Sequence, residues 1–260
     1  MYANYHTHTS RCRHAGGTDE AYVAAAVKAG FSILGFSDHS PWPTPEGNTG
    51  TVRMDVSELP GYVASVRKLQ ETYQNKIEMH LGLECEYFPQ YFDWLKEQKE
   101  TFGLEYFILG NHYKDNVHGL YFGNCMGKQD LEDFVSRCIS GMESGMYLYL
   151  AHPDLMFRSY QVFDEDAKAA SRELCRAMHK EHFLMEYNLQ GFRNRKSRPD
   201  GLGYPTPGFW EIAREEDCRV IVGIDAHNPK DFNDSGSVDE AFSFLQNLGF
   251  SVEETLPLRS

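Results

Sequence analysis

Apolar positions along the chain fall into two alternating patterns. Short runs rich in β-branched or aromatic residues occur at Ser32–Phe36, Ile77–Leu83, Tyr106–Leu109, Met146–Leu150, Phe183–Met185 and Val220–Ile224, with a short opener at Tyr2–Tyr5. Such runs, bounded by polar or turn-forming residues, predict seven strands. Between them, apolar residues recur at helical spacing over Thr18–Ala29, Ser57–Tyr73, Tyr91–Thr101, Lys128–Glu143, Asp164–Lys180 and Thr206–Glu216, and a further helix, Val238–Leu248, follows the last strand. Ser57 and Asp164 are placed to cap helix N-termini, while Gly30 and Gly145 stand where a left-handed residue ends a helix.

Strands alternating with helices imply parallel β-structure with right-handed crossovers, hence an α/β fold that is either a (β/α) barrel or an open doubly wound sheet. No glycine-rich phosphate loop follows the first strand, which favours a barrel of about seven strands over a nucleotide-binding open sheet. No Pro/Ser/Gly-rich linker divides the chain, so residues 1–260 are expected to form a single domain. Ser40–Gly50 and Ser197–Gly208, rich in Pro and Gly, are expected to be active-site loops.

Composition narrows the function classes. With 41% hydrophobic and 24% charged residues, and no run near the roughly 18 apolar residues a membrane span needs, a soluble protein is expected. The start, Met1-Tyr2-Ala3-Asn4, carries neither the basic nor the apolar region of a secretory signal, so a cytoplasmic location is expected. Six cysteines without a C-x-x-C pair are read as reduced thiols. A formal net charge of −13 argues against a nucleic-acid partner, and bound divalent cations would offset part of it.

The chemistry lies where the strands end. His6 and His8 follow the opener, then Asp38-His39, Glu84, His112, His152, Glu186, and finally Asp225 and His227. Residues two apart on an extended segment share a face, so His6/His8 and Asp225/His227 can each present two ligand atoms to one point. In parallel (β/α) barrels the C-terminal strand ends gather at one face, which brings such residues together. Imidazole and carboxylate donors without clustered thiols suit Zn, Mn or Fe. The donors outnumber the needs of one ion, implying two or three divalent metals. Cations sharing a carboxylate and an acidified water favour hydrolysis of a phosphate ester.

His6-Thr7-His8, followed by His14, Asp38-His39, Gly82-Leu83-Glu84, His112, Ala151-His152-Pro153 and Asp225-Ala226-His227, resembles the PHP (polymerase and histidinol phosphatase) superfamily across essentially the whole chain. Glu186-x-Asn188-x-x-Gly191-x-Arg193 with Tyr204-Pro205-Thr206-Pro207 is most similar to its stand-alone histidinol-phosphate phosphatases. The resemblance implies a distorted (β/α)7 barrel with the active site at the C-terminal strand ends and a trinuclear centre. It implies a phosphoric monoester hydrolase of histidine biosynthesis, converting L-histidinol phosphate to L-histidinol and phosphate by a metal-bridged hydroxide. The family pattern would give His6, His8, Glu84 and Asp225 to one metal, with Glu84 bridging to a second held by His112 and His152. His14, His39 and His227 would hold the third. It also suggests phosphate-gripping arginines: Arg193 matches best, then Arg158 and Arg195. The alternative is a related phosphoesterase acting on another small phosphate ester or on a phosphodiester or nucleic-acid end. No general acid is identified.

Other polar residues carry plainer readings. Asp38 is expected to orient a ligand histidine. Glu86, on the same strand face as Glu84, either supports a ligand or is an exposed carboxylate. Glu186 either supports a ligand or is ordinary polarity at the barrel mouth. Cys12 and Cys85 are read as packing residues, and Tyr113 as a candidate for touching substrate.

Overall fold

The computed structural model describes residues 2–44, 50–197, 201–256 and 258. Among them are eight strands, β1 Ala3–Asn4, β2 Ile33–His39, β3 Glu78–Cys85, β4 Tyr106–Leu109, β5 Tyr149–Leu150, β6 Leu184–Asn188, β7 Arg219–Gly223 and β8 Val252–Glu253. The α-helices are α1 Asp19–Lys28, α2 Leu59–Tyr73, α3 Phe92–Phe102, α4 Lys128–Glu143, α5 Glu165–Lys180, α6 Leu189–Ser197, α7 Pro207–Glu215 and α8 Ser235–Leu248. Strands and helices alternate, and the neighbouring strands β1–β2, β2–β3, β4–β5, β5–β6, β6–β7 and β7–β8 pair in parallel. The expected α/β class and all seven expected strands are observed. A two-residue β8 and α6 were not expected. Both anticipated loops, Ser40–Gly50 and Ser197–Gly208, include residues outside the described ones.

The chain forms two compact units, one of Met1–Ile108, Ile224–Ser235 and Glu254–Ser260, the other of Leu109–Gly223 and Gly236–Glu253. In the first, β2 is buried along its whole length and β3 everywhere but Glu78, as expected of parallel strands covered on both faces. The Tyr106 ring fills a slot left by two missing side chains. A Cβ on Gly35 would lie 2.2 Å from its hydroxyl and one on Gly82 2.6 Å from its ring and carbonyl. That hydroxyl donates to the carbonyls of Tyr5, at 2.7 Å, and Phe36, at 3.2 Å, tying β1, β2 and β4 together. α1 starts where Thr18 accepts from the Ala21 amide and ends before Gly30 at φ +84°. The start of α2 corrects the expected Ser57 cap: a 3-10 turn, Val56–Glu58, precedes it, and Asp55 and Glu58 form a reciprocal capping box.

In the second unit α5 packs against α4 and α7, with a buried stripe of Ala167, Ala170, Leu174, Cys175 and Met178. Asp164 caps α5 as expected, accepting from Ala167. Gly145, at φ +67°, follows α4. All six cysteines of the chain are free thiols and buried.

Candidate metal centre

The opening and closing motifs meet as neighbouring extended segments within the first unit. Thr7 bridges in parallel to Ala226; the His8 amide donates to the Ala226 carbonyl at 3.0 Å and the Ala226 amide to the His6 carbonyl at 3.1 Å. Thr7 and Ala226 therefore share a register position, and the residues flanking each, His6/His8 and Asp225/His227, face one another across the seam. Asn4 fixes the approach: its side chain donates to the His6 carbonyl and the Thr7 hydroxyl and accepts from the Ile224 amide. Asp225 adopts φ +51°, a left-handed conformation costly for a residue with a Cβ.

Four donor atoms converge there: His6 Nε2, His8 Nε2, Glu84 Oε2 and Asp225 Oδ1. Five of the six separations among them lie between 3.1 and 3.5 Å. Atoms bound to one ion at about 2 Å, the length of zinc–nitrogen and zinc–oxygen bonds, stand about this far apart. All four residues are at most 5% exposed, and buried histidines and carboxylates persist only with compensating partners. The electrostatics agree. Burial opposes the charged ring of His8, but the Asp225 and Asp38 carboxylates outweigh it and hold its pKa well above the usual histidine value. Burial likewise opposes the Asp225 carboxylate, yet His6 and His227 hold its pKa well below the usual range. The cluster attracts positive charge, which protons or a divalent cation can supply.

The remaining first-unit donors adjoin this group. His39 Nδ1 lies 2.9 Å from Glu84 Oε2. His14 Nδ1 donates to the Cys12 carbonyl at 2.7 Å and His227 Nδ1 to the Asp225 carbonyl at 3.1 Å, so each neutral ring carries its hydrogen on Nδ1 and a lone pair on Nε2. Those two Nε2 atoms face each other at 2.9 Å. Two lone pairs at that distance require a proton or a metal ion between them. Burial, then the neighbouring His227 and His8, push the His14 pKa down to about 4. Donor atoms of His8, His39 and His227 lie within 4.8 Å of one another, as do those of Cys12, His14 and His227. Cys12, read as a packing residue, is fully buried and also borders this donor set.

Asp38 behaves as an orienting carboxylate. One oxygen accepts from the Thr9 amide, at 3.2 Å, and its hydroxyl; the other accepts from the His39 amide at 2.8 Å and lies 3.4 Å from His8 Nδ1. A proton held on Nδ1 leaves His8 Nε2 as the donor to a metal. Glu86 is 1% exposed, which removes the exposed-carboxylate reading.

The second unit contains its own pair and a cationic cavity. The rings of His112 and His152 stand 4.7 Å apart, with the Tyr204 ring edge-on to His152 at 6.1 Å. A cavity of about 290 Å³ is lined by Arg158, Ser159, Gly191, Asn194, Arg195, Gly203 and Tyr204. Arg158 is steadied by Asn124 and the Tyr121 ring, and Arg195 donates to the Pro205 carbonyl at 2.8 Å. Arg193, the best match by sequence, does not line this cavity; it donates to Gln190 at 2.7 Å. Glu186 is fully buried, accepting from Asn188 and lying over Gly223. The helix bearing Arg193 and Arg195 escaped the hydrophobic pattern, although a cap signal was present: Asn188 Oδ1 accepts from the Gly191 amide at 2.7 Å.

A family model described as PHP domain matches residues 4–190. A protein of Deinococcus radiodurans named probable histidinol-phosphatase is 28% identical over 233 residues, covering 86% of this chain and 85% of its own. A Bacillus subtilis protein named histidinol-phosphatase is 22% identical over 265 residues, covering 91% and 96%. Among solved structures, a histidinol phosphate phosphatase of Lactococcus lactis, complexed with zinc, L-histidinol and phosphate, matches at a TM-score of 0.75 with 18% identity, over 98% of this chain and 96% of that one. At such identity the likeness shows the fold, a TIM-like α/β arrangement.

Proposed function

Because the chain belongs to the PHP domain family, we propose that it is a metal-dependent phosphomonoesterase that hydrolyses L-histidinol phosphate to L-histidinol and phosphate. The convergence of His6, His8, Glu84 and Asp225 on one point carries this reading, and the names of the relatives supply the substrate. These four residues would hold one ion; His14, His39 and His227 would hold another, and the family pattern assigns His112 and His152 to a further one. Two or three divalent ions, zinc, manganese or iron, are expected. When bound, they supply an acidified water and neutralise phosphoryl oxygens.

The chain's own residues do the rest. Asp38 and the carbonyls that accept from His14 and His227 fix which ring nitrogen each histidine presents. The low pKa of Asp225 keeps its carboxylate ionised at working pH. Arg158 and Arg195 line one cavity with planar donor forks suited to phosphate oxygens. Arg193, two residues before Arg195, remains a third candidate.

Phosphate release from histidinol phosphate is the test, run on protein as purified, after exhaustive chelation, and after restoring Zn²⁺ or Mn²⁺. Activity should vanish on chelation and return with metal. Undiminished turnover in the chelated protein would refute the metal mechanism. Preference for a phosphodiester over histidinol phosphate would refute the substrate.

A further inference from the structure

We propose that Arg53 is a positioning residue of the metal centre, its buried guanidinium clasping the ends of β2 and β3 so that His39 and Glu84 meet. The proposal rests on the metal reading above. Arginine keeps its charge at any pH a protein tolerates, so a guanidinium that is 1% exposed persists only where anions and carbonyls receive it. Two such groups do. Glu86 Oε1 lies 3.3 Å from one terminal nitrogen, and the Ser40 carbonyl 3.4 Å from the other.

The identity of the two acceptors gives the contact its meaning. Ser40 directly follows His39, and Glu86 stands two residues beyond Glu84, just past the end of β3. The Ser40 amide also donates to the Glu84 carbonyl at 2.8 Å, continuing the β2–β3 pairing past the ligands. The guanidinium thus ties together the two chain segments immediately beyond His39 and Glu84, whose side chains approach to 2.9 Å. Packing fixes where Arg53 stands. Met54 beside it and Trp42 near Ser40 are fully buried, with Trp42 against Phe88, Tyr91 and Trp94.

Stability alone does not account for the arrangement, because replacing a buried ion pair by apolar residues of similar volume is often neutral or stabilising. That fact also supplies the experiment. Zn²⁺ affinity, by competition titration, and thermal stability of the metal-free protein are measured for wild type, R53M and the double variant R53M/E86L, with the absorption spectrum of the Co²⁺-loaded proteins recorded alongside.

R53M leaves a buried carboxylate without its cation and is expected to lose stability; R53M/E86L should regain it. Both should bind Zn²⁺ about 10–100-fold more weakly, the effect of losing a residue that orients metal ligands, and both should show altered cobalt bands. Wild-type affinity and an unchanged spectrum in the refolded double variant would overturn the proposal and leave a purely structural ion pair. Failure of the wild type itself to bind Zn²⁺ would overturn the metal reading, and this proposal with it. The two failures are told apart by the protein in which they occur.

Discussion

β3 carries a histidine–carboxylate cluster at each end, and the two obey opposite rules. At its start, His80 sits between Glu105, 2.5 Å from Nδ1, and Glu78, 2.9 Å from Nε2. Each ring nitrogen has its own acceptor, both can carry hydrogens, and Arg67 and Gln70 take up the remaining capacity of Glu105. A single proton completes that cluster. At the other end, nitrogens face nitrogens: His6 against His8 at 3.1 Å and His14 against His227 at 2.9 Å, with Glu84 and Asp225 alongside. One proton can sit between each facing pair, but a second would collide with it. The same residue types, gathered at the two ends of one strand, form a self-sufficient structural clamp at one end and an arrangement open to outside cations at the other. Mutual orientation of lone pairs distinguishes the two.

The largest effect should come from removing the cation-seeking end. A His6→Ala, His8→Ala double variant should lose its bound metal and its turnover, by more than the roughly 10–100-fold that loss of an orienting partner costs, whereas His80→Ala should keep wild-type metal content. Metal analysis of dialysed proteins decides it, and wild-type stoichiometry in the double variant would sink the ligand assignment. Metal should also stabilise: at 100 times its dissociation constant a ligand adds about 2.7 kcal/mol. For a chain of this size that raises Tm by about 5–10 °C, a shift the double variant should lack and the His80 variant retain.

A smaller effect tests whether the histidines at the functional end are oriented as tightly as His80. Asp38→Asn keeps an oxygen for the Thr9 or His39 amide but weakens the hold on His8 Nδ1. Metal affinity should fall about tenfold or more, with kcat changed more than KM for the phosphate ester. Unaltered affinity would mean that the backbone seam between Thr7 and Ala226 orients His8 without Asp38.

How much of this was legible in the sequence follows from the range of each signal. The strand-end histidines and carboxylates were readable because a strand's period of two is local and these polar residues interrupt its apolar run, as at Gly82-Leu83-Glu84. α6 was not, since Leu189–Ser197 carries few apolar residues and is set by the Asn188 cap. Ser57 was mistaken for a cap because the reciprocal Asp55–Glu58 pair lies around it. The His80 clamp depends on Glu105, 25 residues away, and Arg53 meets Glu86 across 33. Neither pairing has a periodic signature, so both required the fold.

The smallest expected effect concerns the structural clamp and its pH dependence. Burial lowers the His80 pKa, but Glu105 and Glu78 outweigh it and leave the value raised; burial raises that of Glu105, but His80 and the Leu81 amide leave it lowered. A raised histidine pKa contributes stability that is fully present below the unfolded value, about 6.5, and is lost as pH rises through the folded one. A lowered carboxylate pKa contributes above its unfolded value, about 4.3, and is lost as pH falls through the folded one. Both contributions therefore coexist between about pH 4.5 and 6.5. With excess metal present to hold the other end constant, His80→Gln should lower Tm by about 2–4 °C near pH 6 and by progressively less towards pH 9. Tyr5, whose ring stands 6.1 Å from His80, has its pKa raised by burial above the usual tyrosine value and adds no charge within that range. A Tm difference independent of pH, or growing with it, would mean that His80 is held as a neutral ring and that the two ends of β3 do not differ in the way their geometry indicates.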